Sequence, residues 1–176
     1  MKKIVSIFLI LIAVVTISCR TTVPERDSVS PTFLFYIRGT SLHEEIKETF
    51  DFDNSVLYLK RGEAYNVVFS ANDTGGMQFI RWRLAGYPVF RVTNSFTFPC
   101  TIRNISTTEL EIVCNGDRNN PLTSLTTFAD FITNGATTST VEELDVYFTA
   151  MDFRGNRTEK TLTIRIHNEN PRVGPR

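Results

Sequence analysis

The chain has 176 residues, and the first 18 are predicted to be an export signal, which leaves 158 for the mature protein, about one domain. Without Lys2 and Lys3, 17 basic residues stand against 19 acidic ones, a formal net charge of −2. Nucleic-acid binding, which needs a basic excess to neutralise phosphates, is therefore not expected. A composition of 41% hydrophobic and 22% charged residues, with 14 Phe, supports a packed core and argues against disorder.

The N-terminus has the pattern of a secretory signal. Lys2 and Lys3 precede Ile4–Ile17, an apolar run of 14 residues. That run is shorter than the roughly 20 residues that a mature membrane-spanning helix needs. It fits the hydrophobic region of a signal peptide covering residues 1–18.

The residues Thr16–Cys19 resemble the lipobox of bacterial lipoproteins, which signal peptidase II cleaves before the cysteine. The resemblance implies that Cys19 becomes the N-terminus and carries lipid on its sulfur and its amine, which would make the membrane a partner. Thr16 departs from the family pattern, which usually has Leu or another aliphatic residue there. The alternative is an ordinary signal peptide in which Cys19 is incidental. Arg20, where some inner-membrane lipoproteins have Asp, favours an outer membrane if the host has two.

Residues 19–31 are polar, contain Pro24 and Pro31, and show no hydrophobic periodicity. This composition predicts a flexible tether between the lipid and the folded domain.

From Thr32 onward, apolar residues alternate with polar ones at period two, the pattern of half-buried strands. The clearest alternation lies in Ala64–Asn72, where four apolar side chains share one face, and in Gln78–Leu84, where Trp82 does the same. About eight short strands are expected from nine strong and weak candidates, which are 32–38, 55–60, 64–72, 78–84, 89–92, 96–102, 109–114, 144–150 and 162–166. They indicate an all-β antiparallel sandwich over residues 32–170, followed by a C-terminal tail, 171–176.

Two stretches predict short helices in the connections. Ser41–Glu44 has the form of a capping box, and Leu42, Ile46 and Phe50 follow at helical spacing. The second stretch is 120–135, where apolar residues recur at spacings of three and four between an Asn-Pro and an Asn-Gly pair.

Two segments, Val67–Leu84 and Asp145–Ile166, resemble bacterial immunoglobulin-like and cadherin-like repeats. Those repeats pair a strand ending in Ala-x-Asp-x-x-Gly with a later Ala-x-Asp-x-x-Gly-Asn turn and a Thr-rich last strand. The segments cover about a quarter of the mature chain. The resemblance implies an immunoglobulin-like β-sandwich and leaves the function open.

The two cysteines of the body are predicted to form a disulfide. If their segments form a hairpin that pairs Ile102 with Ile112, the same register places Cys100 opposite Cys114. In an oxidising compartment the bond would close a loop of about 15 residues. The alternative is that both are reduced, buried cysteines that pack as small hydrophobes.

Calcium is the one metal that the sequence suggests. Asp73 and Asp152 each lie in a turn, and the sandwich topology would bring these turns to the same end. His167–Pro171 faintly resembles the calcium-binding linker of cadherin repeats and adds Asn168 and Asn170 as candidates. Hard cations take six to eight oxygen ligands, which such side chains can supply. The alternative is that these residues only satisfy turn backbones.

No enzyme is predicted, and no cofactor. The two histidines, His43 and His167, lie in no catalytic motif, and the usual serine-hydrolase, zinc-protease and phosphate-loop patterns are absent from the sequence.

Exposed aromatic residues give the remaining hypothesis, binding of a glycan or a protein. Tyr87 and Phe90 follow a glycine in an expected loop or edge, and Tyr147 lies on the face opposite its apolar neighbours. Equally, such residues can simply fill a small sandwich. The sequence thus predicts a non-catalytic lipoprotein of the cell envelope that binds an envelope protein or glycan or has a structural role. The alternative is a calcium-stabilised, cadherin-like adhesion or glycan-binding domain.

Overall fold

The structure, a computed structural model, describes residues 23, 27–86, 90–93, 100–135 and 141–176. These residues form twelve strands and no helix, so the all-β prediction is confirmed and the predicted short helices are wrong. None of the described segments forms a helix that could cross a membrane. The strands are β1 (Thr32–Arg38), β2 (His43–Lys47), β3 (Ser55–Lys60), β4 (Ala64–Asn72), β5 (Met77–Ala85), β6 (Phe90–Thr93), β7 (Cys100–Asn104), β8 (Glu109–Asn115), β9 (Ser124–Thr133), β10 (Glu142–Asp152), β11 (Arg157–His167) and β12 (Arg172–Pro175).

The strands form two sheets, in the orders β2-β1-β4-β9-β6 and β12-β3-β11-β10-β5-β8-β7. Neighbours are antiparallel except β3 and β11, which are parallel. Strands β1, β4, β9 and β6 occupy the places of A, B, E and D in a constant-type immunoglobulin domain, and β5, β10 and β11 those of C, F and G. Along the chain these seven strands also follow the order A to G of the immunoglobulin domain, and the β7–β8 hairpin is inserted between β6 and β9. This topology confirms the predicted immunoglobulin-like sandwich.

The core lies between the sheets and is rich in aromatic rings. Every second side chain of β4, from Tyr65 to Ala71, is buried, as the alternation predicts. Trp82 on β5 is fully buried, and its ring stacks on Phe131 of β9 with centroids 5.6 Å apart. A buried tryptophan on this strand is a hallmark of the immunoglobulin sandwich.

The first predicted helix is strand β2. Leu42 and Ile46 are buried, as an amphipathic helix would also require. Residues four apart share a face in both structures, so the spacing does not distinguish them. The segment forms a strand rather than a helix because its backbone pairs with the edge of β1, where Ile46 lies opposite Phe35.

The second predicted helix is strand β9, between β4 and β6. Its buried face contains Leu125, Thr127, Ala129, Phe131 and Thr133, whereas Phe128, which the helical pattern includes, is 60% exposed. Because Thr127 and Thr133 are polar, a pattern of apolar residues alone does not show that every second side chain of β9 is buried. Both threonines are β-branched and fit a strand well.

The folded domain extends beyond the predicted bounds of 32–170. Asn156 donates from Nδ2 to the carbonyl oxygen of Asp27 at 2.9 Å, and Thr158 donates from Oγ1 to the carbonyl oxygen of Pro31. Residues 27–31, assigned to the tether, therefore contact the domain. The predicted tail contains β12, which pairs with β3 at the edge of the seven-stranded sheet.

Candidate functional site

The structure contains the predicted disulfide between Cys100 and Cys114. Its register is the predicted one, with Ile102 opposite Ile112. Cys114 is fully buried, whereas β7 is an edge strand with mostly exposed side chains. The bond therefore fastens a weakly packed edge strand to the body of the sheet.

Three predicted residues lie wholly or partly outside the described part of the chain. Cys19 and Tyr87 are not among the described residues. Phe90 begins β6, but its side chain is not described. Lipidation of Cys19 and ligand binding by the two aromatic residues thus stay predictions.

The calcium candidates separate into two places. Asp73 and Asp152 come together with Asp27, each offering a carboxylate oxygen within 4.8 Å of the others. Asn168 and Asn170 follow the opposite end of β11, an 11-residue strand and so about 35 Å long. The two asparagines therefore cannot share a metal ion with the aspartates.

Both turn aspartates bind backbone groups of their own turns. Asp73 accepts a hydrogen bond on Oδ1 from the backbone N–H of Gly75 at 2.7 Å. Asp152 accepts on Oδ1 from the N–H groups of Arg154 and Asn156, both at 2.8 Å. The turn-stabilising role weighed against calcium is thus present in the structure.

The third carboxylate, Asp27, adds negative charge to the cluster and so affects the pKa of Asp73. Burial raises the pKa of Asp73, and the charges of Asp27 and Asp152 raise it further, while the hydrogen bond from Gly75 lowers it. Oδ2 of Asp27 is buried and has no hydrogen-bond partner among the described residues. Asp27 gives no signal in the sequence, because it lies in a polar segment that predicts a tether.

The two histidines do not form a common site. His43 starts β2 in the five-stranded sheet, with Nδ1 3.5 Å from the phenol oxygen of Tyr36. His167 ends β11 in the other sheet, where its Nδ1 accepts from the N–H of Glu169 at 3.1 Å. Burial, and then the charge of Arg172, lowers the pKa of His167, which favours its neutral form.

A groove of about 650 Å³ lies on the outer face of the seven-stranded sheet and is called the outer groove below. Most of its floor consists of outward-facing side chains of β5, β8, β10 and β11, whereas Phe148 and Lys160, which are paired across β10 and β11, have the opposite parity. One wall is the loop from Phe50 to Asp53, where the rings of Phe50 and Phe52 meet edge to face at 5.1 Å. The groove is lined by Phe50, Asp51, Phe52, Asp53, Arg81, Arg83, Glu111, Tyr147, Phe148, Thr149, Glu159, Lys160, Thr161 and Arg176.

Two cations of the outer groove, Arg83 and Lys160, lie over aromatic rings. The guanidinium of Arg83 lies over the ring of Tyr147, 4.8 Å from its centroid, and the ammonium of Lys160 lies 5.4 Å from that of Phe52. Such contacts fix the direction of a long, otherwise mobile side chain. The sequence predicted part of this arrangement, since the alternation places Arg83 and Tyr147 on the faces of their strands opposite the apolar residues.

No protein-family model matches the chain, and a search of curated proteins found no match. The chain is similar to the collagen-binding subdomain of the Enterococcus faecalis surface protein ACE, with 11% identity and a TM-score of 0.37, over 69% of this chain and 99% of that one. A non-cellulosomal cohesin from Archaeoglobus fulgidus gives 16% identity and a TM-score of 0.38, over 64% and 90%. The collagen adhesin of S. aureus gives 10% and 0.38, and the match covers 77% of this chain but only 56% of the adhesin. All three TM-scores lie below 0.5, so these similarities identify neither a family nor a ligand.

Proposed function

We propose that this protein is a non-catalytic binding module of the cell envelope, anchored by lipid on Cys19, that binds its ligand in the outer groove. The observation that carries the binding role is the groove itself, whose volume of about 650 Å³ lies within the usual range of ligand sites. Its lining combines basic, acidic, hydroxyl and aromatic side chains on a rigid sheet, which suits recognition.

Site-specific crosslinking tests the groove in the native envelope. A photo-reactive amino acid replaces Thr161, which is exposed on the floor of the outer groove. The matched control is Thr126, an exposed threonine on β9 of the other sheet. We expect a discrete adduct through position 161 and none through position 126. Equal labelling at both positions, or no adduct at 161, would contradict the proposed site.

The lipid anchor is tested separately. We expect Cys19→Ala to move the protein from the membrane fraction to the soluble fraction and out of the detergent phase in phase partitioning, because acyl chains provide the membrane affinity. Intact mass of the wild-type protein should show acylation at a mature N-terminus formed by Cys19. Unchanged membrane association of the variant would count against lipidation.

A calcium-stabilised domain is the second candidate function. The specific observation in its favour is the convergence of Asp27, Asp73 and Asp152 within 4.8 Å, together with the buried, unpartnered Oδ2 of Asp27. Three carboxylates could supply about half of the oxygen ligands that calcium takes. A cation there would also offset the repulsion among three like charges and fasten residues 27–31 to the domain.

Thermal unfolding with excess calcium or with a chelator tests this candidate. A site saturated at about 100 times its dissociation constant stabilises the folded state by about 2.7 kcal/mol. For a domain of this size that corresponds to a rise in Tm of about 5–10 °C. We expect Asp73→Asn to abolish the calcium-dependent rise. An identical Tm with calcium and chelator would remove the metal from the proposal.

A further inference from the structure

We propose that the outer groove binds a peptide segment of a partner protein, and that Arg83 holds the carboxylate of an Asp or Glu side chain in that peptide. The inference rests on the proposed function of the outer groove and names the chemical class of its ligand.

One buried carboxylate is shared among several arginines at this place. Glu111 on β8 lies opposite Arg83 in the strand register, yet it binds Arg103 at 2.6 Å and lies 3.9 Å from Arg81. It is only 5% exposed and cannot turn freely to a further partner. Among the described residues, no carboxylate lies within 4.0 Å of the Arg83 guanidinium. The cluster of three arginines and one glutamate therefore has a local excess of two positive charges.

A second arginine stacked on a tyrosine of the same sheet also binds a carboxylate, a partner that Arg83 lacks among the described residues. Arg172 on β12 lies over the ring of Tyr58 at 4.8 Å, the same separation as in the stack of Arg83 on Tyr147. Arg172 also binds Glu169 at 2.9 Å, so ring, guanidinium and carboxylate form a complete set. Stacking leaves the N–H edge of a guanidinium available for bidentate binding of a carboxylate. In the outer groove the ring and the guanidinium are present, and the ligand supplies the carboxylate.

The charge balance of the lining favours a peptide over a polyanion. Four basic side chains, Arg81, Arg83, Lys160 and Arg176, face four acidic ones, Asp51, Asp53, Glu111 and Glu159. A uniformly sulfated or carboxylated glycan would meet repulsion from the acidic side chains along its length. A peptide can place one carboxylate at Arg83 and other side chains elsewhere. The rings of Phe50 and Phe52 in the wall offer apolar contact to neighbouring peptide residues.

Selection from a random peptide library tests the inference. Heptapeptides displayed on phage are selected on the purified protein, and the winning sequences are synthesised and titrated by fluorescence anisotropy. We expect them to share an Asp or Glu whose replacement by Asn or Gln weakens binding. Loss of one charge-assisted contact corresponds to a decrease in affinity of about 10- to 100-fold, and we expect this for Arg83→Gln. The matched control Arg172→Gln removes the other stacked arginine and should leave affinity unchanged.

Arg83→Lys keeps the charge but loses the planar, bidentate group, and we expect an intermediate loss. This variant keeps the test decisive if Arg83→Gln does not fold. Selected peptides without an acidic residue, affinities unaffected by either Arg83 variant, or no enrichment at all would overturn the inference. Binding of heparin or chondroitin sulfate oligosaccharides that depends on Arg83, without peptide binding, would replace the peptide by a glycan. Crosslinking at Thr161 remains an independent test, so a wrong ligand class is distinguishable from a wrong site.

Discussion

Removing the Cys100–Cys114 bond should lower the stability of the domain by an amount that follows from the loop it closes. The two cysteines are 14 positions apart, so the loop has about 15 residues. For such a loop the chain-entropy estimate is about 3 kcal/mol. With about 2–4 °C of Tm per kcal/mol for a domain of this size, reduction should lower Tm by about 6–12 °C.

The location of the bond indicates which part of the domain loosens first. Among the described strands β7 pairs only with β8, and its side chains are mostly exposed, so that little burial holds it once the bond is broken. In hydrogen exchange, the backbone amides of β7 should lose protection before those of β5 and β10.

The assay is thermal unfolding of the wild-type protein with and without reductant, beside the Cys100→Ala/Cys114→Ala variant. The reductant should not change the Tm of the variant, which separates the effect of this bond from any general effect of the reagent. An unchanged wild-type Tm, with both thiols shown to be free by mass spectrometry, would refute the reasoning.

Three further predictions concern buried groups. The raised pKa of Asp73 means that the folded chain binds this proton more tightly than the unfolded chain, so calcium-free stability should fall as pH rises from the ordinary value of 3.8 through the folded pKa. In urea unfolding across this pH range, Asp73→Asn should lose that decrease, and a slope equal to that of wild type would contradict it. Glu142→Gln removes an ionic partner of Arg61, whose side chain is only 4% exposed, and should cost about 2 kcal/mol in urea unfolding, the contribution of a hydrogen bond between charged groups. The more exposed Glu143→Gln should cost less than about 1 kcal/mol, and equal costs would refute the distinction. Trp82→Ala should cost about 3–5 kcal/mol and Trp82→Phe less, because the indole N–H has no partner among the described residues; a Tm unchanged by Trp82→Ala would show that this ring is not central to the core.

Period-two alternation was a reliable guide wherever the buried face of a strand is apolar. The buried face of β4, with Tyr65 and Phe69, and that of β5, with Trp82, follow from the sequence alone. In β9 the same rule was obscured, since Thr127 and Thr133 are buried while Phe128 is exposed. The choice between helix and strand depended there on β4 and β6, which pair with β9 on its two sides.

The candidate sites were less predictable because each joins residues far apart in the chain. The turns of Asp73 and Asp152 were expected at the same end, and the structure brings them within 4.8 Å. Asp27 had no sequence signal, since it is the contacts of residues 27–31 with Asn156 and Thr158 that show the segment packing on the domain. The outer groove likewise depends on a loop wall that helical spacing at Phe50 obscured.

Local patterns were sufficient for features that depend on neighbours in the chain: the inward faces of the clearest strands, and the hairpin register that joins Cys100 to Cys114. Tertiary structure alone decided whether Ile46 belongs to a helix or a strand, and that Glu111 binds Arg103 rather than Arg83. The physical reason is that backbone pairing and charge competition depend on which distant segments become neighbours. Such neighbours are set by the packing of the two sheets, which no short window of sequence contains.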